Sequence, residues 1–222
     1  MMIKKAFTML ELVFVIAIVG ILSALAIPRS NKNPLREAAN QIMADIRYTQ
    51  HLAMQDNKFT LQSDGTPEND WYKAYWRILF HYDTQKSKQI WRYTVFSDSG
   101  SYSGNPNSID QIANNPRDLN KKLTSGYARQ KYPNQILDKK LNLTKTYGIT
   151  KVKFNSKNQT LAFDILGRPY SALQNSKSPY EKLLQEDTKI SLQGNGDILN
   201  IIVFKESGYT CIEDKNNIGN CE

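Results

Sequence analysis

Two histidines and two cysteines in 222 residues leave little material for metal or nucleophile chemistry. His51 falls on an expected helix and His81 at an expected strand end, and neither has a cysteine or serine partner at local spacing. No catalytic constellation is expected, and the chain is not read as an enzyme. No glycine-rich loop is present to cradle phosphates, which argues against an ATPase. Two cysteines with no histidine near them do not make a zinc site. The Asp and Asn residues between Ser97 and Asp110 fit no calcium-loop spacing, so neither metal nor cofactor is expected. No internal repeat is evident. A mean hydropathy of -0.54 is too polar for a multi-span membrane protein.

Long apolar runs are also absent, with one exception. From Leu12 to Ile27 the chain reads LVFVIAIVGILSALAI, interrupted only by Gly20 and Ser23. With Phe7, Met9 and Leu10 the run approaches the roughly 20 apolar residues of a bilayer span. One membrane segment followed by a soluble domain is therefore expected, and 40% apolar residues are enough for that domain to hold a core. A cleaved secretory signal is the competing reading. It fits poorly, because Leu25-Ala26-Ile27-Pro28 is a poor cleavage site and Glu11 lies within the apolar segment. An unpaired carboxylate there costs roughly 2.5–3.5 kcal/mol on insertion scales.

Lys4-Lys5-Ala6-Phe7-Thr8-Met9-Leu10-Glu11, followed by the apolar run and Pro28, resembles the leader of type IV pilins and type II secretion pseudopilins. The resemblance covers about the first tenth of the chain. It implies cleavage between Ala6 and Phe7 by a prepilin peptidase, N-methylation of Phe7, and assembly roles for Glu11 and Pro28. Ala6 departs from the family's usual glycine, which bears on cleavage efficiency. On physical grounds Lys4 and Lys5 hold the leader on the cytoplasmic side, which places the rest as a single-pass inner-membrane protein with its head in the periplasm. Glu11 then either pairs with an amine of its own or a neighbouring chain, or snorkels at the interface. Pro28 kinks or loosens the helix.

Beyond the run, Leu35, Ala38, Ala39, Ile42, Met43, Ile46 and Ala53 recur largely at three- and four-residue spacings, an amphipathic helix with one buried face. Pro34 suits a first-turn position and Asp56-Asn57 an end. If continuous from Phe7 to Met54, the helix would run about 70 Å. Ile42–Met54 and Phe163–Pro169 resemble, more loosely, the minor pseudopilins of the GspH or FimT-like kind. Alternation over Trp71–Tyr82, a polar turn at Asp83–Lys88 and an aromatic run at Ile90–Phe96 predict a hairpin. Further strands are expected at Thr150–Phe154, Thr160–Asp164, Lys189–Gln193 and Ile198–Phe204, with turns at residues 155–158, 167–169 and 194–197. The fold class that follows is α+β, a pilin-like long N-terminal helix, half membrane and half amphipathic, packed on an antiparallel sheet head. Its parts are a leader over residues 1–6, a membrane and polymerisation helix over 7–28, an amphipathic continuation over 29–57, and a head over 58–222 with an insertion at about 97–148.

That insertion holds the charge. Between Arg117 and Lys153 there are ten basic residues against Asp118 and Asp138, a balance of 10 − 2 = +8, equal to the formal net charge of the whole chain. Tyr127, Tyr132 and Tyr147 are interleaved with them. Three readings stand: a solvated surface insertion, a patch that faces an acidic neighbouring subunit, or a nucleic-acid site centred on Lys121, Lys122, Arg129, Lys131, Lys139 and Lys140. An oxidising periplasm favours pairing of Cys211 with Cys221, and the resemblance implies a C-terminal disulfide loop as well. The functional expectation is a minor pseudopilin in a short periplasmic fibre of a type II secretion or competence system. Its partners would be other pseudopilins or pilins, the peptidase, an inner-membrane assembly platform and, in a competence system, DNA. A minor type IV pilin and a monomeric membrane-anchored binding protein are the alternatives.

Overall fold

In the computed structural model, residues 8–26, 33–85, 88–127 and 132–222 are described. They divide into two compact units, residues 1–33 and 34–222. The first contains helix α1, Met9–Ala26. Thr8 starts it: the hydroxyl accepts the Glu11 N–H at 3.3 Å and the carbonyl accepts the Leu12 N–H at 3.2 Å. Its 18 residues, at the helical rise, measure about 27 Å, against a hydrocarbon core of about 30 Å. No helix among the described residues is long and apolar enough to cross a membrane. The single-pass inner-membrane anchor expected over residues 7–28 is corrected by this finding, and with it the periplasmic placement of the head.

The second unit opens on α2, Pro34–Gln55, which buries Leu35, Ala38, Ala39, Ile42, Ile46 and Ala53 along one face. The helical spacing seen in the sequence is thus the buried stripe, and Pro34 stands at the first position, where a missing N–H costs nothing. Two four-stranded antiparallel sheets receive that stripe. Strands β1 (Trp76–Gln85) and β2 (Lys88–Ser97) form the expected hairpin, with Ile78 opposite Val95 and Phe80 opposite Tyr93. A small ribbon follows, β3 (Asn114–Asn115) with β4 (Asp118–Lys122). Helix α3 (Leu143–Tyr147) precedes β5 (Ile149–Phe154), β6 (Thr160–Phe163), β7 (Pro169–Tyr170), β8 (Thr188–Gly194), β9 (Asp197–Val203) and β10 (Thr210–Ile212). The sheet orders are β2-β1-β6-β7 and β10-β9-β8-β5. Between β8 and β9, Asn195 and Gly196 both take positive φ, 53° and 82°, the pairing a two-residue hairpin of this hand requires.

One core joins these elements. Ile42 and Ile46 of α2 pack with Ile78, Phe80 and Tyr93 of the first sheet and Ile190, Leu192, Ile201 and Val203 of the second. Every member of this cluster lies between Leu35 and Ile212, so the second unit closes its own core and folds without the first.

The expected fold class is corrected. Among the described residues the chain is mostly antiparallel sheet with three α-helices, and α1 and α2 belong to different units. The α+β description fits only in part, and a head packed on one long helix is not found among the described residues. Smaller differences have local causes. Trp71–Ala74 is a 3-10 turn and not the start of β1, because Trp71, Tyr72 and Tyr75 turn into a separate aromatic cluster with Tyr170 and Leu173. The polar turn at Asp83–Lys88 is shorter than expected, since backbone pairing continues to Gln85 opposite Lys88. Within residues 97–148, Ala113 and Leu123 hydrogen-bond to both sides of Val95 on β2, each at 3.0 Å, and Leu123, Leu141, Leu143 and Tyr147 enter the core. The described part of that segment is sewn to the sheet edge.

Cys211, on β10, is bonded to Cys221 with Cα atoms 5.6 Å apart. The closed tail folds back on α2, where Arg36 meets the Glu222 side chain at 2.5 Å. Cys211→Ser should lower the unfolding free energy by roughly 2–3 kcal/mol, the loop-closure value for so short a loop. The check is a urea melt of both proteins with and without reductant. The difference should vanish once the wild type is reduced; a difference that persists would assign the loss to packing around Cys211 instead.

Candidate functional site

Two features stand out, one in each unit. On α1 every described side chain from Met9 to Ser23 is exposed. Leu10, Val15 and Ile16 are 70%, 46% and 61% exposed, on three different sides of the helix. Among these residues Glu11 alone is charged. It occupies the third helical position after Thr8, the Thr-x-x-Glu arrangement of a capping box, where a carboxylate also complements the positive end of the helix. That structural role was legible in Thr8-Met9-Leu10-Glu11 and is separate from any assembly role. Ala6, Phe7 and Pro28 lie outside the described residues.

The second feature is a basic groove beside β4. Lys121, Lys139 and Lys140 line it, together with Asn115, Arg117, Asp118, Leu137 and Asp138, and its volume is about 420 Å³. A second groove of about 580 Å³ shares Leu137 and Lys139 and adds Arg92 and Lys145. Short turns position these lysines. Asp138 accepts the Lys140 N–H at 2.9 Å and so starts the 3-10 turn Lys139–Leu141. Asn142 accepts the Lys145 N–H at 2.9 Å and starts α3, which Gly148 ends at φ 71°. The structure thus brings three of the six expected patch residues together. Lys122 points elsewhere, its ammonium donating to the Ile112 carbonyl at 3.1 Å. Arg129 and Lys131 lie outside the described residues.

None of the three tyrosines lines either groove. Tyr147 is buried and donates to Gln41 Oε1 at 2.9 Å. Tyr127 donates to Asn105, and Tyr132 to the Pro106 carbonyl at 2.9 Å. His81 packs on the Tyr127 ring at 4.9 Å, and burial together with Arg92 pushes its pKa down to about 3. His51 is exposed on α2. Among the described residues no group of three or more His, Cys, Asp or Glu side chains is placed to hold a metal ion.

Beneath the groove lies a buried carboxylate that the sequence reading passed over. Asp45 of α2 is inaccessible to solvent. Its Oδ2 accepts the Tyr93 hydroxyl at 2.6 Å, and Arg117 Nη2 stands 2.8 Å from Oδ1 and 3.1 Å from Oδ2. Burial raises its pKa above the usual carboxylate value, against the lowering effects of Tyr93 and Arg117. Gln41 donates to the Tyr93 hydroxyl at 3.2 Å and accepts from Tyr147, which completes a polar chain from α2 to α3. The signal was present: Asp45 stands three residues after Ile42 and one before Ile46, on the apolar stripe, where a lone carboxylate demands a cationic or hydroxyl partner.

No protein family, no curated protein and no solved structure matches the chain.

Proposed function

We propose that this chain is a pilin-like structural subunit, a minor pseudopilin that polymerises through α1 into a short fibre serving a type II secretion or DNA-uptake machine. The observation that carries the proposal is the apolar surface of α1, exposed at every described side chain, with one carboxylate in its first turn. A helix apolar on every side is buried in its working state. Parallel copies stacked side by side provide that burial, at about 1.5–3 kcal/mol for each large aliphatic side chain covered. The leader resemblance supports the same use, since it implies a cut before Phe7 that leaves α1 at the start of the mature chain. The disulfide supports work in an oxidising compartment. A monomeric anchored binding protein, the competing class, has no use for the Glu11 carboxylate within an apolar helix.

The test uses the native host. The protein with Ile16→Cys, at a position exposed on α1, should cross-link to its own copies or to other pilin-like chains, and the purified chain should begin at Phe7. A chain that keeps its first six residues and stays monomeric would overturn the proposal.

A further inference from the structure

We propose that the two adjoining basic grooves form one track that binds the phosphate backbone of double-stranded DNA without reading its sequence. The binding stands apart from the fibre proposal; only its use in DNA uptake rests on that reading.

The charges are arranged for an external anion. Lys139, Lys140 and Lys145 are exposed, and their ammonium groups make no ion pair or hydrogen bond among the described residues. Lys139 borders both grooves and so joins them into one surface. Arg117 and Lys121 stand on one flank, each held in place, Arg117 by Asp45 and Lys121 by the Gln135 carbonyl at 2.6 Å. Arg92 stands on the other flank, paired with Asp83 at 3.1 Å. Of the two carboxylates in the first groove, Asp138 is turned into the fold: it accepts Asn115 Nδ2 at 2.7 Å as well as the Lys140 N–H. The ammonium groups therefore dominate the surface. Since residues 117–153 carry a balance equal to the whole chain's +8, the field of the protein is centred here.

The choice of duplex follows from what the tyrosines do. Single strands are held by phosphate attraction combined with bases stacked on exposed aromatic rings. Here the hydroxyls of Tyr127, Tyr132 and Tyr147 are anchored within the protein, and Tyr147 is buried. What remains is a row of cations on short, capped turns, which suits regularly spaced phosphates and carries no base readout. Because the segment is bonded to β2 and to the core, its lysines are positioned before contact and little ordering cost is due on binding.

The experiment uses residues 34–222, which close their own core, and a duplex of random sequence about 30 base pairs long read by fluorescence anisotropy. Binding should weaken steeply with salt, with a log–log slope of roughly −3 to −5 for four to five phosphate contacts. Lys139→Glu/Lys140→Glu/Lys145→Glu should weaken it by about 30-fold or more while leaving the thermal melt within about 2 °C. The charge control is Lys151→Glu/Lys153→Glu, exposed on β5 and lining neither groove, which should change affinity by no more than about threefold. Equal losses in both variants would reduce the track to unspecific net charge and overturn the proposal. So would tighter binding of a single strand of the same length, or binding to phosphatidylglycerol vesicles with none to the duplex.

Discussion

Glu11→Gln should abolish co-assembly of the chain with itself or its partner subunits, with Ile16→Cys cross-links falling at least about tenfold, while α1 still forms. Two roles meet at Glu11, and this substitution separates them. As the third helical residue after Thr8 it sits in a capping arrangement, and glutamine serves such a box nearly as well as glutamate. Pairing with the amine of a neighbouring chain needs the charge, which glutamine lacks. Partial burial of an unpaired amine then costs several kcal/mol per subunit, and a polymer repeats that cost at every step. Glu11→Ala removes both roles, so it should match Glu11→Gln in assembly and show in addition a weaker helix start by circular dichroism. Wild-type cross-linking by the glutamine variant would leave Glu11 as a helix cap alone and remove the pairing role.

The second large effect concerns Asp45. Arg117→Ala leaves its carboxylate buried with Tyr93 as its remaining direct partner, and should lower stability near neutral pH by about 1–3 kcal/mol. The lower half of that range is favoured because the Arg117 side chain is 41% exposed and its attraction is partly screened. The pH dependence is the sharper check. Burial already holds the Asp45 pKa above its ordinary value, Tyr93 and Arg117 pull it down, and nearby Asp138 pushes it up. Loss of the guanidinium therefore raises it further. A carboxyl whose folded pKa exceeds the unfolded one, about 3.9, makes the native state hold more protons, so stability falls as pH rises from the unfolded value through the folded one. The deficit of Arg117→Ala against wild type should be smallest near pH 4 and grow toward pH 7 in urea melts. In an Asp45→Asn background, where nothing titrates at that position, the Arg117→Ala deficit should be flat with pH. A deficit in the single variant that is equally flat would show that Arg117 does not hold the Asp45 charge.

Elements whose signal is local were legible in the residues. The stripe Leu35, Ala38, Ala39, Ile42, Ile46 is the buried face of α2, because a 3.6-residue period has one geometric meaning. The β1–β2 hairpin and the strands at residues 149–154, 160–163, 188–194 and 197–203 follow alternation and turn chemistry in the same way. Strands β3, β4, β7 and β10 were not foreseen. They have two to five residues each, too few for a period to show, and β7 and β10 each add to a strand that was already predicted. Of the four expected patch residues that are described, Lys121, Lys139 and Lys140 line one groove and Lys122 does not, since charge density marks a surface without ordering it.

By itself the sequence determined the apolar character of residues 9–26, the amphipathic face of α2, the main strands and the location of the positive charge, because each depends on neighbours a few positions apart. Only the tertiary structure decided the rest. It showed no helix among the described residues long and apolar enough to cross a membrane, where composition had counted Phe7 to Ile27 as one span. It turned Lys122 toward the Ile112 carbonyl and brought Arg92, Arg117 and Lys145 to the track in its place. It joined Asp45 to Arg117 across 72 positions and to Tyr93 across 48. Contacts of that range depend on how two sheets and a helix close on one another, and a buried carboxylate takes whichever cation the closure delivers.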